Sequence, residues 1–437
     1  MGLVEKIKDA GIIGAGGAGF PTHVKVACKA ETVIANGAEC EPLLRVDQIV
    51  MEKYAREVVK GMRAVVEHTD AKQGIICLKS HYHAAVDALE KEVSGNISLK
   101  FLKSYYPAGD EQSMVHNVTG KVVPTGGLPL DVSVIVINVS TLVNISEALD
   151  DKPVTDKIVT VGGEVEKPST FEVPVGISIM KLIEKAGGPN NMKDYSVIIG
   201  GPCMGMVTKD LDIPVSKTTG GILVLKDEHP LLDKKKDDVE RDIRLAKAIC
   251  CQCNLCTQMC PRNALGLDVH PHKAMRAVAN NDGLLLGDAN GVFSCCDCGL
   301  CTYYACNFGL NPSKMMNKIK TGLAQAGVSP EKKIARKVDS NNESKKVPVS
   351  RLISRLGIKK YDVDALFCDD AINSEIVRIP LNTHIGAPAN PVVTIGAMVL
   401  KGDVIGEKQE DKLGARAHAS VDGTITEVND TYIEITR

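Results

Sequence analysis

"CCQCNLCTQMCP", residues 250–261, sets the reading of the whole chain. Cys250, Cys253, Cys256 and Cys260, followed by Pro261, have the spacing C-x2-C-x2-C-x3-C-P. Three thiolates at this spacing wrap three corners of a [4Fe–4S] cube, and the fourth, held back by the proline, reaches a neighbouring cluster. A second set is therefore required. "CCDCGLCTYYAC", residues 295–306, supplies Cys295, Cys298, Cys301 and, after four residues rather than three, Cys306. The exchange gives Cys250, Cys253, Cys256 and Cys306 to one cluster, and Cys295, Cys298, Cys301 and Cys260 to the other. The longer gap and the missing proline after Cys306 leave the exchange open at that end. Zinc is the alternative metal, but structural zinc uses two separated C-x2-C pairs, and the triplet rhythm favours iron–sulfur. Cys251 and Cys296 stand beside ligands and are read as non-ligands, although either can swap with its neighbour.

The rest of the composition agrees with cofactor chemistry. A chain of 437 residues with 44% hydrophobic content exceeds one core, so roughly two to four domains are expected. Net charge is -2 with scattered basic residues, which gives no footprint for nucleic acid. Aromatic content of 3% without Trp does not suit a sugar- or protein-binding surface. No apolar run approaches the ~18–20 residues that span a bilayer, and Val132 to Val139 is strand-sized and broken by Asn138, so membrane insertion is not expected. "MGLVEKIKDAG" has no apolar signal region, and Lys6 stands where a myristoylation signal has Ser or Thr. The expected location is the cytoplasm, where fifteen cysteines are held by metal or kept reduced.

Working outward, the pattern divides the chain into four units. Residues 1–150 alternate helix signals (Leu3–Ala10, 47–67, 84–92) with strand signals (32–35, 74–78, 132–138), the mark of an α/β domain. Residues 151–232 hold two strands around a Gly-Gly turn in "KIVTVGGEVEKPSTFEVPVG". Ser178 then caps a short helix stopped by Gly187 and Gly188, and the strand "SVIIGG" follows, which suggests a ubiquitin-like β-grasp unit. Residues 233–330 open with "DKKKDDVERD", read as a solvated linker or helix start, and continue as the helical two-cluster domain. After the polar "DSNNESKK", residues 345–437 carry paired short strands turning at Lys401-Gly402 and Asp422-Gly423, a barrel-sandwich hybrid similar to biotinyl and lipoyl carriers. Those carriers present a modifiable lysine at a turn that is "VDGT" here, so no modification is expected. The fold class is multidomain α/β.

One stretch in the first unit remains to be explained. "IIGAGGAGFPTH", residues 12–23, with Gly11 before it, brings glycines that permit close backbone approach to an anion, and Lys25 adds charge. It is not a G-x-x-x-x-G-K-[ST] loop, and it follows a helix rather than the strand a Rossmann loop requires. A tight turn without a ligand is the alternative. Its companions are "NGAECEP" (36–42), "YPAGDEQ" (106–112) and "GGLPLDVSVIVINVST" (126–141).

This set resembles the flavin-bearing, NADH-oxidising subunit of respiratory complex I, and more closely the RnfC family. The resemblance covers the whole chain: FMN/NADH-binding α/β domain, SLBB-like β-grasp domain, ferredoxin-like helical domain and barrel-sandwich hybrid. A barrel at the C-terminal end resembles the soluble RnfC-like proteins of the cobalamin-reductase (PduS) and D-proline-reductase electron-donor (PrdC) branches. By motif, it implies Gly14, Gly16, Gly17, Lys25, Asn36 and Asn138 as FMN-binding residues, and Phe20, Glu41 and Glu111 for NADH. Glu39 and Glu41 can each also be read as solvated loop carboxylates, and Ser140 stands where the complex I protein has an acidic residue. Cys203 in "GGPCMGM" is read as a buried thiol in a turn, or else as a redox thiol near the electron path. His384 and His418 are read as packing residues. The implied function is electron transfer from NADH through FMN and two [4Fe–4S] clusters to a partner, with no catalytic residue beyond the cofactors. A D-proline reductase acceptor is favoured, with cobalamin, or an adaptor that does not itself oxidise NADH, as alternatives. A homo-oligomer is compatible with all of these.

Overall fold

The computed structural model describes residues 1–236 and 238–437, so position 237 of the charged stretch lies outside the described residues. The first unit is built on a four-stranded parallel sheet in the order Ile97–Leu102, Gln73–Lys79, Thr32–Asn36, Val134–Asn138. Side chains alternate between its faces. Val33, Ala35, Ile76, Leu78, Ile135 and Ile137 join the core formed with helices Leu3–Asp9, Ala55–His68 and Val139–Leu149. Ile34, Ile75, Cys77, Val134 and Val136 share the other core with Met114 and Val115 of helix Glu111–Thr119. Burial on both faces explains why these strands read as continuous apolar runs. The single helix expected over 47–67 is two, Val46–Lys53 and Ala55–His68, parted at Tyr54.

Strand order decides where a ligand can enter. The first three strands progress outward from Thr32–Asn36, and the fourth is added on its opposite side. The topological switch point therefore lies between the strands that end in Asn36 and Asn138, and a crevice opens outside their carboxyl ends.

The second unit is a six-stranded sheet in the order Leu366–Cys368, Ser169–Pro174, Asp156–Gly163, Gly221–Lys226, Tyr195–Ile199, Met206–Thr208. Its central pair, Asp156–Gly163 with Gly221–Lys226, is parallel, and helix Ile179–Lys185 starts on the Ser178 hydroxyl, which accepts the Met180 N–H at 3.2 Å. The edge strand Leu366–Cys368 comes from the segment expected in the barrel unit. That segment is shared out: Val347–Pro348 pairs with Tyr105–Tyr106, and Leu352, Ile353 and Leu356 of helix Val349–Leu356 pack with Tyr106 and Leu300. The barrel itself consists of a four-stranded sheet beginning at Ile376 and a three-stranded sheet, closed over Val377, Ile379, Ile405, Ile425, Ile433 and Ile435. Of the two readings of the charged stretch, the helix start holds: Asp238 caps helix Val239–Ile249, where Asp242, 8% exposed, accepts from Asn311 at 2.6 Å and pairs with Lys314 at 3.3 Å. Among the described residues, no helix is long and apolar enough to cross a membrane.

The barrel folds back onto the chain's first residues. Buried Lys217 donates Nζ to the carbonyls of Gly11 (2.8 Å) and Arg416 (2.9 Å), and Arg416 pairs with Asp9 at 2.6 Å. Burial pulls the Lys217 pKa down from 10.5 to about 7. Between those values the unfolded chain binds more protons than the folded one, so this joint gains stability as pH rises and loses it as pH falls toward 7. Lys217→Met is expected to flatten the stability profile across that window by up to about 1.4 kcal/mol per pH unit. Denaturant midpoints measured across the window check this, and parallel profiles for the two proteins refute it.

Candidate flavin and iron–sulfur site

The glycine loop is tied down at the crevice. Gly14 N–H donates to the Phe20 carbonyl at 2.9 Å, Ala15 N–H donates to the Thr141 hydroxyl at 3.0 Å, and Gly16, Gly17 and Ala18 are exposed. Gly16 lies against Asn138, whose side chain accepts the Ser140 N–H (2.9 Å) and donates to Asp47 (2.9 Å). Asn36 donates to the Gly109 carbonyl at 2.9 Å, which draws the 106–112 segment to the same strand ends. Lys25 Nζ reaches Glu111 Oε1 at 2.8 Å and the Val136 carbonyl at 2.9 Å. Close contacts thus link Gly14 with Phe20, Gly16 with Asn138, Asn138 with Asn36 and Lys25 with Glu111. Ser140 Oγ is buried without a partner in the first turn of the 11-residue helix Val139–Leu149. Exposed glycine backbone, a lysine and an unpaired hydroxyl at a helix N-terminus form a donor set that fits the phosphate of FMN.

Glu41 is engaged elsewhere. Its carboxylate accepts the N–H groups of Cys203 (2.8 Å) and Met204 (3.2 Å), and the Tyr106 hydroxyl oxygen lies 3.2 Å away. Gly201 makes room for this, since a Cβ there would stand 2.0 Å from Glu41 Oε2. Glu41 therefore clamps the flavin domain to the β-grasp loop, a role invisible locally because its partners are more than 60 positions away. Cys203, 4% exposed, sits inside that clamp, in the place of a buried turn thiol, and burial pushes its pKa well up.

The acids that lie under the crevice are Glu39 and Asp47. Removal from water, then the Asp47 charge, raises the Glu39 pKa, while Lys79 Nζ donates to the Glu39 carbonyl. Glu39 is thus no freely solvated loop carboxylate. Burial likewise raises Asp47 and draws Lys157 down to about 8, with Lys157 Nζ donating to the Ala15 carbonyl at 3.0 Å. The sequence signal for Glu39 was present in "NGAECEP", which offers two acids without ranking them.

On its far side the 106–112 segment grips the cysteine domain. Tyr106 donates its hydroxyl to the Cys298 carbonyl at 2.6 Å. Asp110 caps helix Glu111–Thr119 and receives Arg262 Nε and Nη2 at 2.8 and 2.6 Å. Arg262 Nη1 continues to the Ser294 carbonyl at 3.3 Å. Burial alone would raise the Asp110 pKa, but Arg262 and the Ser113 N–H and hydroxyl hold it below its ordinary value. Neither residue was singled out from sequence, although Arg262 directly follows Cys260-Pro261.

The cysteines fall into two groups. Burial, then the neighbouring Cys306, Cys250 and Cys253 thiols, push Cys256 up to about 12. Burial with Cys295, Cys260 and Cys256 nearby puts Cys301 well above its usual value, and burial with Cys296 and Cys260 nearby puts Cys295 at about 12. Both loops share one backbone trace: Gln252 and Asn254 have φ of 58° and 64°, and Asp297 and Gly299 have 57° and 70°. These left-handed residues stand two and four positions after Cys250 and after Cys295, so Cys295, not Cys296, is the counterpart of Cys250. The extra residue before Cys306 is absorbed by a π-helical turn, Cys301–Ala305, closed by Cys306 N–H on the Cys301 carbonyl at 3.1 Å, an insertion common at functional sites. The two groups have the thiol count of two [4Fe–4S] clusters, but among the described residues no three of these side chains converge on a point that could hold a metal ion. The group at Cys260, Cys298 and Cys301 is buried beside the flavin segment, while Cys253 of the other group is exposed.

Comparison with known proteins follows the same division. The Nuo51 FMN-binding domain matches residues 7–147, the SLBB domain 158–207, the 4Fe-4S dicluster domain 249–311 and the RnfC barrel sandwich hybrid domain 360–436. A component of the Na+-translocating ferredoxin:NAD+ oxidoreductase complex of Acetobacterium woodii is 33% identical over 61% of this chain and 59% of its own length. The cobalamin reductases PduS of Citrobacter freundii and Salmonella typhimurium are each 37% identical over 99% of this chain and 96% of their own length. With its four domains in register from end to end, the chain belongs to the family of the cobalamin reductase PduS, an RnfC-like group of flavo-iron–sulfur oxidoreductases.

Proposed function

We propose that this protein oxidises NADH and delivers the electrons singly to a cobalamin. The carrying observation is the 106–112 segment, which meets the flavin crevice through Gly109 and Glu111 and holds the buried cysteine group through Tyr106 and Asp110. When bound, FMN supplies hydride acceptance and one-electron release, and the clusters supply one-electron conduction. Gly14, Gly16, Gly17, Lys25, Asn36, Asn138 and Ser140 bind and orient the flavin; Phe20 and Glu111 face the nicotinamide nucleotide. Cys295, Cys298, Cys301 and Cys260 hold the inner cluster, and Cys250, Cys253, Cys256 and Cys306 the outer one. The C-terminal barrel is shared by both branches and the sequence reading favours a D-proline reductase acceptor, but end-to-end similarity to two PduS proteins supports the corrinoid instead. The balance is one NADH and two aquacob(III)alamin giving NAD+, one proton, two cob(II)alamin and two waters.

Anaerobic mixing of the FMN- and iron-loaded protein with NADH is expected to bleach the flavin, and added aquacobalamin to turn over with two cobalts reduced per NADH. Failure of NADH to bleach the flavin refutes NADH as donor and favours the adaptor reading. Bleaching without cobalt reduction refutes the corrinoid, and turnover only with added D-proline reductase restores that acceptor.

A further inference from the structure

Beside the outer cysteine group lies a groove of about 790 Å3 to which none of the roles above assigns a ligand. Met259, Tyr304 and Ile353 line it, and Arg351, Arg355 and Lys359 stand along it. Met259 lies between Cys256 and Cys260 in sequence, and Tyr304 precedes Cys306 by two residues, so the groove abuts the segments that carry the outer group's thiols. Helix Val349–Leu356 cannot rotate away, because its Leu352, Ile353 and Leu356 are buried with Leu300 and Cys298. That anchoring keeps Arg351 and Arg355, one turn apart, on its exposed face. Among the described residues neither arginine nor Lys359 forms an ion pair, and the groove's own carboxylate, Asp362, is engaged by Arg45 at 2.9 Å.

We infer that this groove is the docking site of the corrinoid, an inference that rests on the acceptor reading above. A concavity of this volume is the size of a cofactor site rather than of a flat protein contact. A corrin presents a broad apolar face edged with amides, and its nucleotide loop carries one phosphodiester. Tyr304, Met259 and Ile353 supply the apolar wall, and the unpaired arginines supply bidentate donors for the phosphodiester. The site places the acceptor at the solvent-facing cysteine group, away from the flavin crevice.

Equilibrium binding of aquacobalamin to the loaded protein, compared with cobinamide, which lacks the nucleotide loop and its phosphate, tests this. Wild-type protein is expected to bind cobalamin about tenfold more tightly than cobinamide. The Arg351→Glu/Arg355→Glu double variant, with normal FMN and iron content and unaltered flavin bleaching by NADH, is expected to lose that preference and bind cobalamin at least about tenfold more weakly. Arg351→Lys/Arg355→Lys keeps the charge and is expected to retain most of the binding. Unchanged cobalamin affinity in the charge-reversed protein overturns the site while leaving cobalamin as acceptor. Absence of both binding and cobalt reduction in wild-type protein overturns the acceptor and the site together.

Discussion

Arg262→Met is expected to destabilise the protein by about 3–5 kcal/mol, because it strands a buried carboxylate. Arg262 and Asp110 are 9% and 4% exposed at their side chains and pair at 2.6 Å, between the segment that leads to the flavin crevice and the turn that follows Cys260. The methionine replaces the alkyl stem but supplies no donor, so Asp110 keeps only its bonds from Ser113 N–H (3.0 Å) and Oγ (2.8 Å). With Arg262 present the Asp110 pKa is depressed, so the pair's stability is in place above the ordinary aspartate range and drains away as pH falls through the folded value. Without Arg262, burial raises the pKa, and the sign reverses: the variant gains stability as pH falls, because protonation neutralises the stranded group. Denaturant midpoints of the loaded protein at neutral and mildly acidic pH check both magnitude and sign. Asp110→Asn/Arg262→Met is expected to recover much of the loss, since no uncompensated charge then remains. A loss under about 1 kcal/mol in Arg262→Met would mean that the pair is solvated and does not join the domains.

That pair also marks where sequence reading stops. Three of the four strands of the flavin sheet, the β-grasp helix after Ser178 and the cysteine triplets are legible because each is encoded by local spacing, whether apolar runs, a cap or ligand intervals; the edge strand Ile97–Leu102, with burial pattern mixed along its length, is not. Asn36 and Asn138 are assigned to the flavin from sequence only through the family resemblance; that they end adjacent parallel strands is seen in the structure. Contacts between distant positions have no such period. Asp110 meets Arg262 across 152 positions, and Glu41 meets Cys203 across 162. The strand Leu366–Cys368 looks like barrel sequence until its pairing with Ser169–Pro174 is seen. The gap before Cys306 could not be resolved from spacing alone, because a count of four residues does not reveal a π turn.

That turn underlies a second large effect: Cys260→Ser and Cys306→Ser are expected to remove different clusters. Cys260, 8% exposed, lies near Cys295, Cys296 and Cys301, whereas Cys306 lies near Cys256. On the proposed assignment each fourth thiol therefore goes with the other loop's triplet. Either serine variant is expected to lower iron from about eight to about four per chain, so iron content alone cannot tell them apart. The flow of electrons can. Cys260→Ser empties the group against the Tyr106–Asp110 segment, so NADH still bleaches the flavin while reduction of the remaining cluster and of aquacobalamin falls by about a hundredfold or more. Cys306→Ser spares that group, so NADH still reduces one cluster and only the final transfer fails. Rapid-freeze electron paramagnetic resonance after NADH addition distinguishes the two. A reduced-cluster signal that forms at the wild-type rate in Cys260→Ser protein would show that the inner group is not on the path. Loss of the same signal in both variants would show that the two thiols serve one cluster and that the exchange across the π turn does not occur.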